Sequence, residues 1–286
     1  MSDAHHQDNR QSWNAATRRH NIHKGDQAAF LRDGGNTLFP EEIDLLGDVR
    51  GRTLAHLQCN TGVDTLSIAA HLGADVTGID ISDEAVDFAQ ALSRDSGIPA
   101  QFIRADLFDW FDANDQPFDA VFTSYGTTGW LSDLTRWGAG VAGALKDGGR
   151  FVMVEFHPVV GMLGDDGRHI SFDYMGGGHI YNADGVGDYV GVQGGESTNT
   201  GTPTAVAPDD ATWHNPHPAH EFAWGLADHL NALIAAGLTI TRVEEYPHCN
   251  GWKPFDNMIE REGRQMFMPE SAFVIPLMFG IHAIKR

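Results

Sequence analysis

The chain has 286 residues, of which 42% are hydrophobic and 20% charged, a composition typical of globular proteins with a sizeable core. Its 39 acidic and 19 basic residues give a formal net charge of −20, which repels a phosphate backbone and predicts no nucleic-acid partner. No apolar run approaches the ~20 residues of a membrane span, and two cysteines make neither a disulfide framework nor a zinc cluster. We therefore expect no membrane association and a cytoplasmic location, with no signal for an oligomeric state.

The first half of the chain, to about residue 157, predicts an α/β architecture. Residues 11–47 read as largely helical, with Pro40 opening a short helix. From 52 to 157, strand-like and helix-like segments alternate, which predicts a doubly wound parallel sheet. The predicted strands are 52–58, 74–81, 100–106, 118–124 and 150–156, and the predicted helices between them are 63–73, 82–97 and 131–149.

The second half of the chain combines a long irregular segment with a return to regular elements. Residues 158–218 are rich in Gly, Asp, Thr and Pro, and the turn "NADG" at 182–185 predicts a hairpin. This segment is too long for an ordinary loop, so it is either an active-site cap or partly disordered. Its aromatic residues favour an inserted β-rich cap. A helix over 220–237, a strand over 238–246, an irregular stretch and a last strand "FGIHAIKR" at 279–286 complete the prediction.

Four predicted strand ends carry polar residues at the edge where open α/β sheets bind ligands. The first is the loop in "AHLQCNTGVDT", where Gly62 allows a close backbone approach, although a strand–turn–helix without a ligand has the same pattern. The second is Asp80, which a ribose could contact through both hydroxyls. A helix-capping carboxylate is the alternative, but Ser82 already fits that role.

The third and fourth strand ends extend the same set. Asp106 could accept from an adenine amino group with Leu107 covering the ring, and a surface turn aspartate is the alternative. The turn "SYGTTGWL" at 124–131 offers hydroxyls, glycines and aromatic rings beside a reacting group, against a plain loop with core aromatics. Together, the four ends predict one nucleoside-like ligand.

This order of features resembles the class I S-adenosylmethionine-dependent methyltransferases over about residues 40–160. In that family the first strand ends in an acidic-Leu-Gly-x-Gly-x-Gly loop, with which His56 to Gly62 aligns, keeping the last glycine. The stretches "LAHLQCNTGVDTLS", "GTTGWLSDL" and "GGRFVMVEFHP" are similar to a small-molecule subgroup. The resemblance implies a Rossmann-like, seven-stranded, mostly parallel sheet with an antiparallel edge strand.

The resemblance also implies a cofactor, S-adenosylmethionine, with S-adenosylhomocysteine as product. Asp80, with its neighbour Ile81, would hold the ribose, and Asp106 with Leu107 the adenine. The predicted residues at the methionine end are Gln58, Asn60, Thr61, Gly62, Ser124 and Tyr125. The implied domains are a leading helical segment closing over the cofactor (1–50), the methyltransferase core (51–157 and 219–286) and the cap (158–218).

Candidates for acceptor binding and catalysis are fewer. Glu155 and His157 alternate onto one face of the fifth strand, where His157 could act as a base or simply end the strand. Trp130 and Trp13 could wall the acceptor site, with core packing as the alternative. His220 could face the acceptor from the start of a helix. The even spacing of histidines in "WHNPHPAHE" suggests metal binding, but two prolines prevent a shared helical face, so we predict no metal.

We therefore predict an S-adenosylmethionine-dependent methyltransferase acting on oxygen, nitrogen or carbon of a small-molecule acceptor. A nicotinamide-dependent oxidoreductase is one alternative, although a loop with one glycine fits a pyrophosphate poorly. A regulatory protein that binds the cofactor without transferring the methyl group is another, motivated by the missing glycines.

Overall fold

The computed structural model describes residues 4–174, 178–192 and 213–286. The helices are α1 (Ala4–Ile22), α2 (Gln27–Arg32), α3 (Pro40–Leu46), α4 (Val63–Ser67), α5 (Asp83–Ser96), α6 (Leu107–Ala113), α7 (Leu134–Ala144), α8 (Tyr189–Val192) and α9 (Leu226–Ala235). The strands are β1 (Thr53–Leu57), β2 (Asp75–Asp80), β3 (Gln101–Arg104), β4 (Phe118–Thr123), β5 (Leu145–Phe156), β6 (His179–Asn182), β7 (Ala219–Phe222), β8 (Leu238–Tyr246), β9 (His248–Asn250), β10 (Ile259–Arg261), β11 (Gln265–Phe267) and β12 (Met278–Lys285).

Seven strands form the central sheet in the order β3-β2-β1-β4-β5-β12-β8. The first five are parallel, as the alternating pattern predicts, because helices carry the chain back between them. The antiparallel strand implied by "FGIHAIKR" is β12. It lies between β5 and the edge strand β8 and pairs antiparallel with both. The predicted doubly wound α/β fold is confirmed.

Helices begin where the sequence supplies a capping group. The Ser82 hydroxyl accepts from the Ala85 amide at 3.2 Å to start α5, and Pro40 occupies the first turn of α3. The predicted helix 63–73 divides in two, since α4 continues as a wider π-helical turn over Ile68–Leu72 before Gly73 ends it. Two apolar layers cover the sheet. One contains Trp137 and Phe151, and the other contains Leu46 and Phe122.

Three predictions in the second half of the chain are wrong. β6 does not pair across the "NADG" turn. It pairs instead with β7, while Val186 beyond the turn packs against Ala16 and Ala219. The predicted helix 220–237 begins at Leu226, because the preceding residues belong to β7. The stretch expected to be irregular contains the small antiparallel sheet β10-β11-β9.

Helix α1 lies across the carboxyl ends of the strands and is fixed to α5. Arg10 donates two hydrogen bonds to the Asp83 carboxylate, at 2.8 and 2.7 Å, and Asn14 adds a third at 2.9 Å. The Ser82 hydroxyl donates to Asn14 Oδ1 at 2.8 Å. This network holds the leading helix over the end of β2. Across the ranges described, every helix is too short or too polar to cross a bilayer.

Candidate active site

A cavity of about 720 Å³ opens at the carboxyl ends of β1, β2 and β4 and at the loop after β3. Every residue predicted to bind the cofactor lines it: Gln58, Asn60, Thr61, Gly62, Asp80, Ile81, Asp106, Leu107, Ser124 and Tyr125. Trp13 and Trp130 line it as well, whereas Glu155, His157 and His220 are not among its described lining residues. Tertiary folding therefore brings the four strand ends together around one space.

The loop after β1 keeps a glycine-type backbone even where it lacks glycine. Gln58, Asn60 and Gly62 have φ angles of 53°, 48° and 75°, so all three positions that align with the family's glycines are left-handed. Gly62 is required for a second reason, because a Cβ there would lie 2.6 Å from the Phe102 ring. Gln58 and Asn60 thus combine an amide side chain with the left-handed backbone that glycine adopts most easily.

The two amides have different environments. Gln58 Nε2 donates to the Thr127 carbonyl at 2.8 Å, which ties this loop to the turn after β4. Gln58 Oε1 is buried with no hydrogen-bond partner in the described residues. Asn60 Oδ1 instead accepts from the Thr61 amide at 2.7 Å. Gln58 Oε1 is thus a buried acceptor without a partner among the described residues, while the Asn60 oxygen is satisfied within its own loop.

Replacing Gln58 or Asn60 by glycine tests the contribution of the side chain alone, because glycine adopts positive φ without strain and can keep the same backbone conformation. We expect Gln58→Gly to weaken S-adenosylmethionine binding about tenfold, since it removes a buried acceptor and the link to Thr127. Asn60→Gly should change affinity less than threefold, because its oxygen is already satisfied. Isothermal titration of both variants measures the difference. Equal affinities for Gln58→Gly and the unmodified chain would contradict the role assigned to Gln58.

Asp80 lies at the end of β2 and faces the loop after β1. Its two carboxylate oxygens accept from the Asn60 amide at 2.8 Å and the Ser82 amide at 2.9 Å. Burial raises the pKa of Asp80 to about 6, although these hydrogen bonds oppose the rise. The hydrogen bonds fix the carboxylate at the rim of the cavity, and each oxygen retains a further lone pair for a ligand.

Both carboxylate oxygens of Asp106 already have hydrogen-bond partners within the protein. Its Oδ1 caps α6 by accepting from the Phe108 amide at 2.8 Å, and its Oδ2 lies 2.7 Å from His6 Nδ1. Burial acts to raise the pKa of Asp106, but the hydrogen bonds from His6 and the helix outweigh it and the pKa is lowered. The His6 ring also accepts from the Ser132 amide at 3.3 Å. Asp106 therefore holds α1 down over the end of β3.

Glu155 holds the turn after β4 in place through hydrogen bonds to its backbone. This buried carboxylate accepts from the amides of Gly126, Thr127 (2.9 Å) and Thr128 (3.4 Å). Burial raises the pKa of Glu155 despite these bonds. Since its oxygens are directed at the turn, the position of Glu155 favours shaping of the site over acceptor contact.

The far end of the cavity is aromatic. Trp130 donates its indole N–H to the Gly126 carbonyl at 2.7 Å and meets Trp13 edge-on, with ring centroids 5.3 Å apart. Tyr125 accepts from Asn250 Nδ2 at 3.0 Å, and burial raises the Tyr125 pKa well above its usual range. Phe39 and Phe156 flank Tyr125, with ring centroids 6.1 and 5.4 Å away, and Trp252 and Arg264 also line the cavity. The walls can exclude water from a reacting group.

Two predicted residues lie elsewhere. His157 sits at the end of β5, where its Nδ1 accepts from the Val159 amide at 3.2 Å and its Nε2 lies 3.0 Å from a Glu245 oxygen. Burial lowers the pKa of His157, and Glu245 partly restores it. His220 is on β7 rather than at the start of a helix, because its backbone pairs with Tyr181 of β6. This geometry does not support acceptor contact by either ring.

Several cavity residues escaped the sequence analysis because they come from the leading segment. His6, Asn9 and Lys24 line the cavity from α1 and the residues that follow it. Lys24 Nζ donates to Thr61 Oγ1 at 3.4 Å. Burial lowers the pKa of Lys24 to about 8, although the negative charge of Asp64 acts to raise it. No strand end or motif marks these positions in the sequence, and only helix docking reveals them.

Comparison with known proteins identifies the domain that contains β1 to β4. The family model described as a methyltransferase domain matches residues 55–149. Residues 55–149 therefore form a methyltransferase domain. The match begins within β1 and ends in β5, so it contains the four strand ends that form the cavity.

Solved structures of methyltransferases share the fold across nearly the whole chain. An S-adenosylmethionine-dependent methyltransferase from Mesorhizobium loti superposes with a TM-score of 0.56 at 21% identity, covering 88% of this chain and 99% of that one. A second from Methanosarcina mazei gives 0.51 at 18% identity, covering 87% and 98%. The segments before and after the matched domain therefore also follow the fold of these structures.

One curated relative is similar over a shorter stretch. The ribosomal RNA large subunit methyltransferase K/L of Colwellia psychrerythraea is 33% identical over 76 residues, which are 26% of this chain. The chain spans about a tenth of that protein, 11% of its length. The shared stretch leaves the acceptor of the methyltransferase domain open.

Proposed function

We propose that the protein transfers the methyl group of S-adenosylmethionine to a small-molecule acceptor. The observation that carries the proposal is the cavity of about 720 Å³, which falls in the ~300–1,000 Å³ range of small-molecule sites. Helix α1 covers it from one side, and residues 182–190 and 250–264 contribute to its walls. Such a space suits a cofactor with a small acceptor better than a polymer.

The nucleoside end of the cofactor binds at β2 and β3 in this proposal. The Asp80 carboxylate accepts from the ribose hydroxyls, and Ile81 and Leu107 cover the adenine faces. Asp106 accepts from the adenine amino group through a lone pair that its bonds to α6 and His6 leave free.

The methionine end lies along the loop after β1, with Ser124 and Tyr125 beside it. Gly62 and Thr61 bring their backbone to the ligand at the start of α4, and the unpartnered Gln58 Oε1 accepts from its ammonium group. Lys24, beside Thr61, is the cation for its carboxylate. This direction leaves the methyl group pointing at the aromatic end.

Transfer is an in-line displacement at a sulfonium carbon that is already activated. The aromatic end, including Trp13 and Trp130, aligns the acceptor atom with the methyl–sulfur bond and excludes water. A neutral amine needs no base, whereas a hydroxyl acceptor loses a proton. Glu221 lines the cavity and burial raises its pKa, which makes it a better-placed proton acceptor than His157.

A nucleic-acid acceptor is the competing interpretation, because of the ribosomal RNA methyltransferase relative. The net charge of −20 and the cover formed by α1 both oppose it. Small-molecule methylation in the cytoplasm is therefore the function we propose.

Titration and transfer assays test the proposal. We expect S-adenosylmethionine and S-adenosylhomocysteine to bind with dissociation constants of roughly 1 µM–1 mM and NAD not to bind. Tritiated methyl groups should pass to members of a panel of small amines, phenols and acids, and not to ribosomal RNA. Binding of NAD alone would support an oxidoreductase, and label in RNA would overturn the small-molecule acceptor. Binding without transfer to either class would indicate a regulatory protein.

A further inference from the structure

A cluster of three histidines lies where α1 meets the β6–β7 pair, outside the cavity lining. His5 comes from the first turn of α1, His179 from β6 and His220 from β7. One ring nitrogen of each lies within 4.8 Å of the others. His179 and His220 share one face of the strand pair, because His179 is two residues before Tyr181, the partner of His220.

The three rings are stacked with little space between them. His5 lies 4.5 Å from His179 and 4.3 Å from His220 between ring centroids, and His179 lies 4.9 Å from His220. His179 Nε2 and His220 Nδ1 are 2.7 Å apart. Imidazole nitrogens collected from three elements in this way form the donor set that zinc and related metals prefer.

A carboxylate orients the most buried of the three rings. Asp8 Oδ2 lies 3.0 Å from His220 Nε2. A proton on Nε2 then faces Asp8, and the lone pair on Nδ1 faces the centre of the cluster. Carboxylates commonly hold metal-binding histidines in this tautomer, so Asp8 supplies the outer contact that such a site needs.

We propose that His5, His179 and His220 bind a divalent transition metal, with Zn²⁺ as the first choice. Two ligands of a tetrahedral zinc with bonds of about 2.0–2.1 Å are roughly 3.3 Å apart, so His179 Nε2 and His220 Nδ1, now 2.7 Å apart, must separate by about 0.6 Å. The stacked rings must also turn so that their in-plane lone pairs converge on the metal. His179 then carries its proton on Nδ1 and presents Nε2 to the metal. Water occupies the fourth position.

The metal has a structural role because of where it lies. The neighbouring residues His6 and Glu221 line the cavity, whereas the three histidines do not. The metal therefore ties α1 to β6 and β7 behind the cavity wall and is separate from methyl transfer. Its binding stabilises the folded chain by mass action and holds α1 against the β6–β7 pair. This inference does not depend on the proposed function.

Metal titration of the full chain, without an appended histidine tag and after removal of metal by chelation, tests the proposal. We expect one Zn²⁺ per chain with a dissociation constant below about 1 µM, and an absorption band in the visible when Co²⁺ replaces it. His179→Ala should weaken zinc binding at least 100-fold. Asp8→Asn should weaken it about 10-fold by loosening the His220 ring.

Nearby histidines provide the matched control. His214 and His217 belong to the same stretch as His220 but lie outside the cluster, so His217→Ala should bind zinc like the unmodified chain. Because His179 is exposed, its replacement should leave the fold intact, and unchanged S-adenosylhomocysteine affinity without metal checks this. Zinc should raise the Tm of the unmodified chain and not that of His179→Ala. Absence of stoichiometric zinc, or equal affinity in His179→Ala and His217→Ala, overturns the proposal.

Discussion

Asp80→Ala is expected to reduce the affinity for S-adenosylmethionine at least 100-fold while leaving the chain folded. The carboxylate accepts from the Asn60 and Ser82 amides, which aim it at the cavity. In the proposed complex it also accepts from both ribose hydroxyls, and charged hydrogen bonds of this kind contribute roughly 1.5–3 kcal/mol each. Isothermal titration measures the affinity, and circular dichroism verifies the fold.

The control and the pH dependence make this test specific. Asp87→Ala removes an exposed carboxylate one turn into α5 and should bind the cofactor normally. The affinity of the unmodified chain should fall as the pH drops through about 6, because protonation of Asp80 removes the charge that accepts from the ribose. Asp80→Ala should lose that dependence. An unchanged affinity in the folded variant would mean that the cofactor lies elsewhere.

Glu155→Gln is expected to lower the free energy of unfolding by about 2–4 kcal/mol, because a buried amide replaces a carboxylate that accepts from several backbone N–H groups. The amide NH₂ then faces the donors of Gly126 to Thr128, which cannot rearrange to accept from it. Urea denaturation measures the loss. Cofactor affinity should fall as well, since the turn lines the cavity.

An exposed glutamate gives the comparison. Glu262→Gln, in the turn before β11, makes the same chemical change on the surface and should alter stability by less than about 0.5 kcal/mol. If Glu155→Gln proved as stable as Glu262→Gln, the carboxylate would not organise the turn after β4. Loss of transfer activity with unchanged stability and cofactor affinity would instead indicate that Glu155 contacts the acceptor.

The loop after β1 illustrates what a sequence pattern can and cannot determine. "HLQCNTG" keeps one glycine of three, so from composition alone the loop was ambiguous. The structure adds the backbone conformation, in which Gln58 and Asn60 are left-handed like Gly62. A residue type records a conformational preference, whereas surrounding contacts such as the Gln58 bond to Thr127 can impose the conformation at some cost.

The histidines show the opposite case. Even spacing drew attention to His214, His217 and His220, yet only His220 belongs to the cluster. Its partners are Asp8, 212 positions away, and His179, 41 positions away. Linear spacing carries no information about ligands from separate elements, so the prediction of no metal considered a different set of residues from the cluster in our proposal.

The sequence by itself determined the parallel sheet and the set of strand ends that line the cavity. Hydrophobic alternation and turn residues are local signals, and the carboxyl ends of parallel strands share one edge wherever the helices lie. Only the tertiary structure decided what covers that edge. His6 reaches Asp106 across 100 positions, and β7 replaces a predicted helix because β6 offers a pairing partner. Such contacts depend on docking between distant elements, which local propensity does not encode.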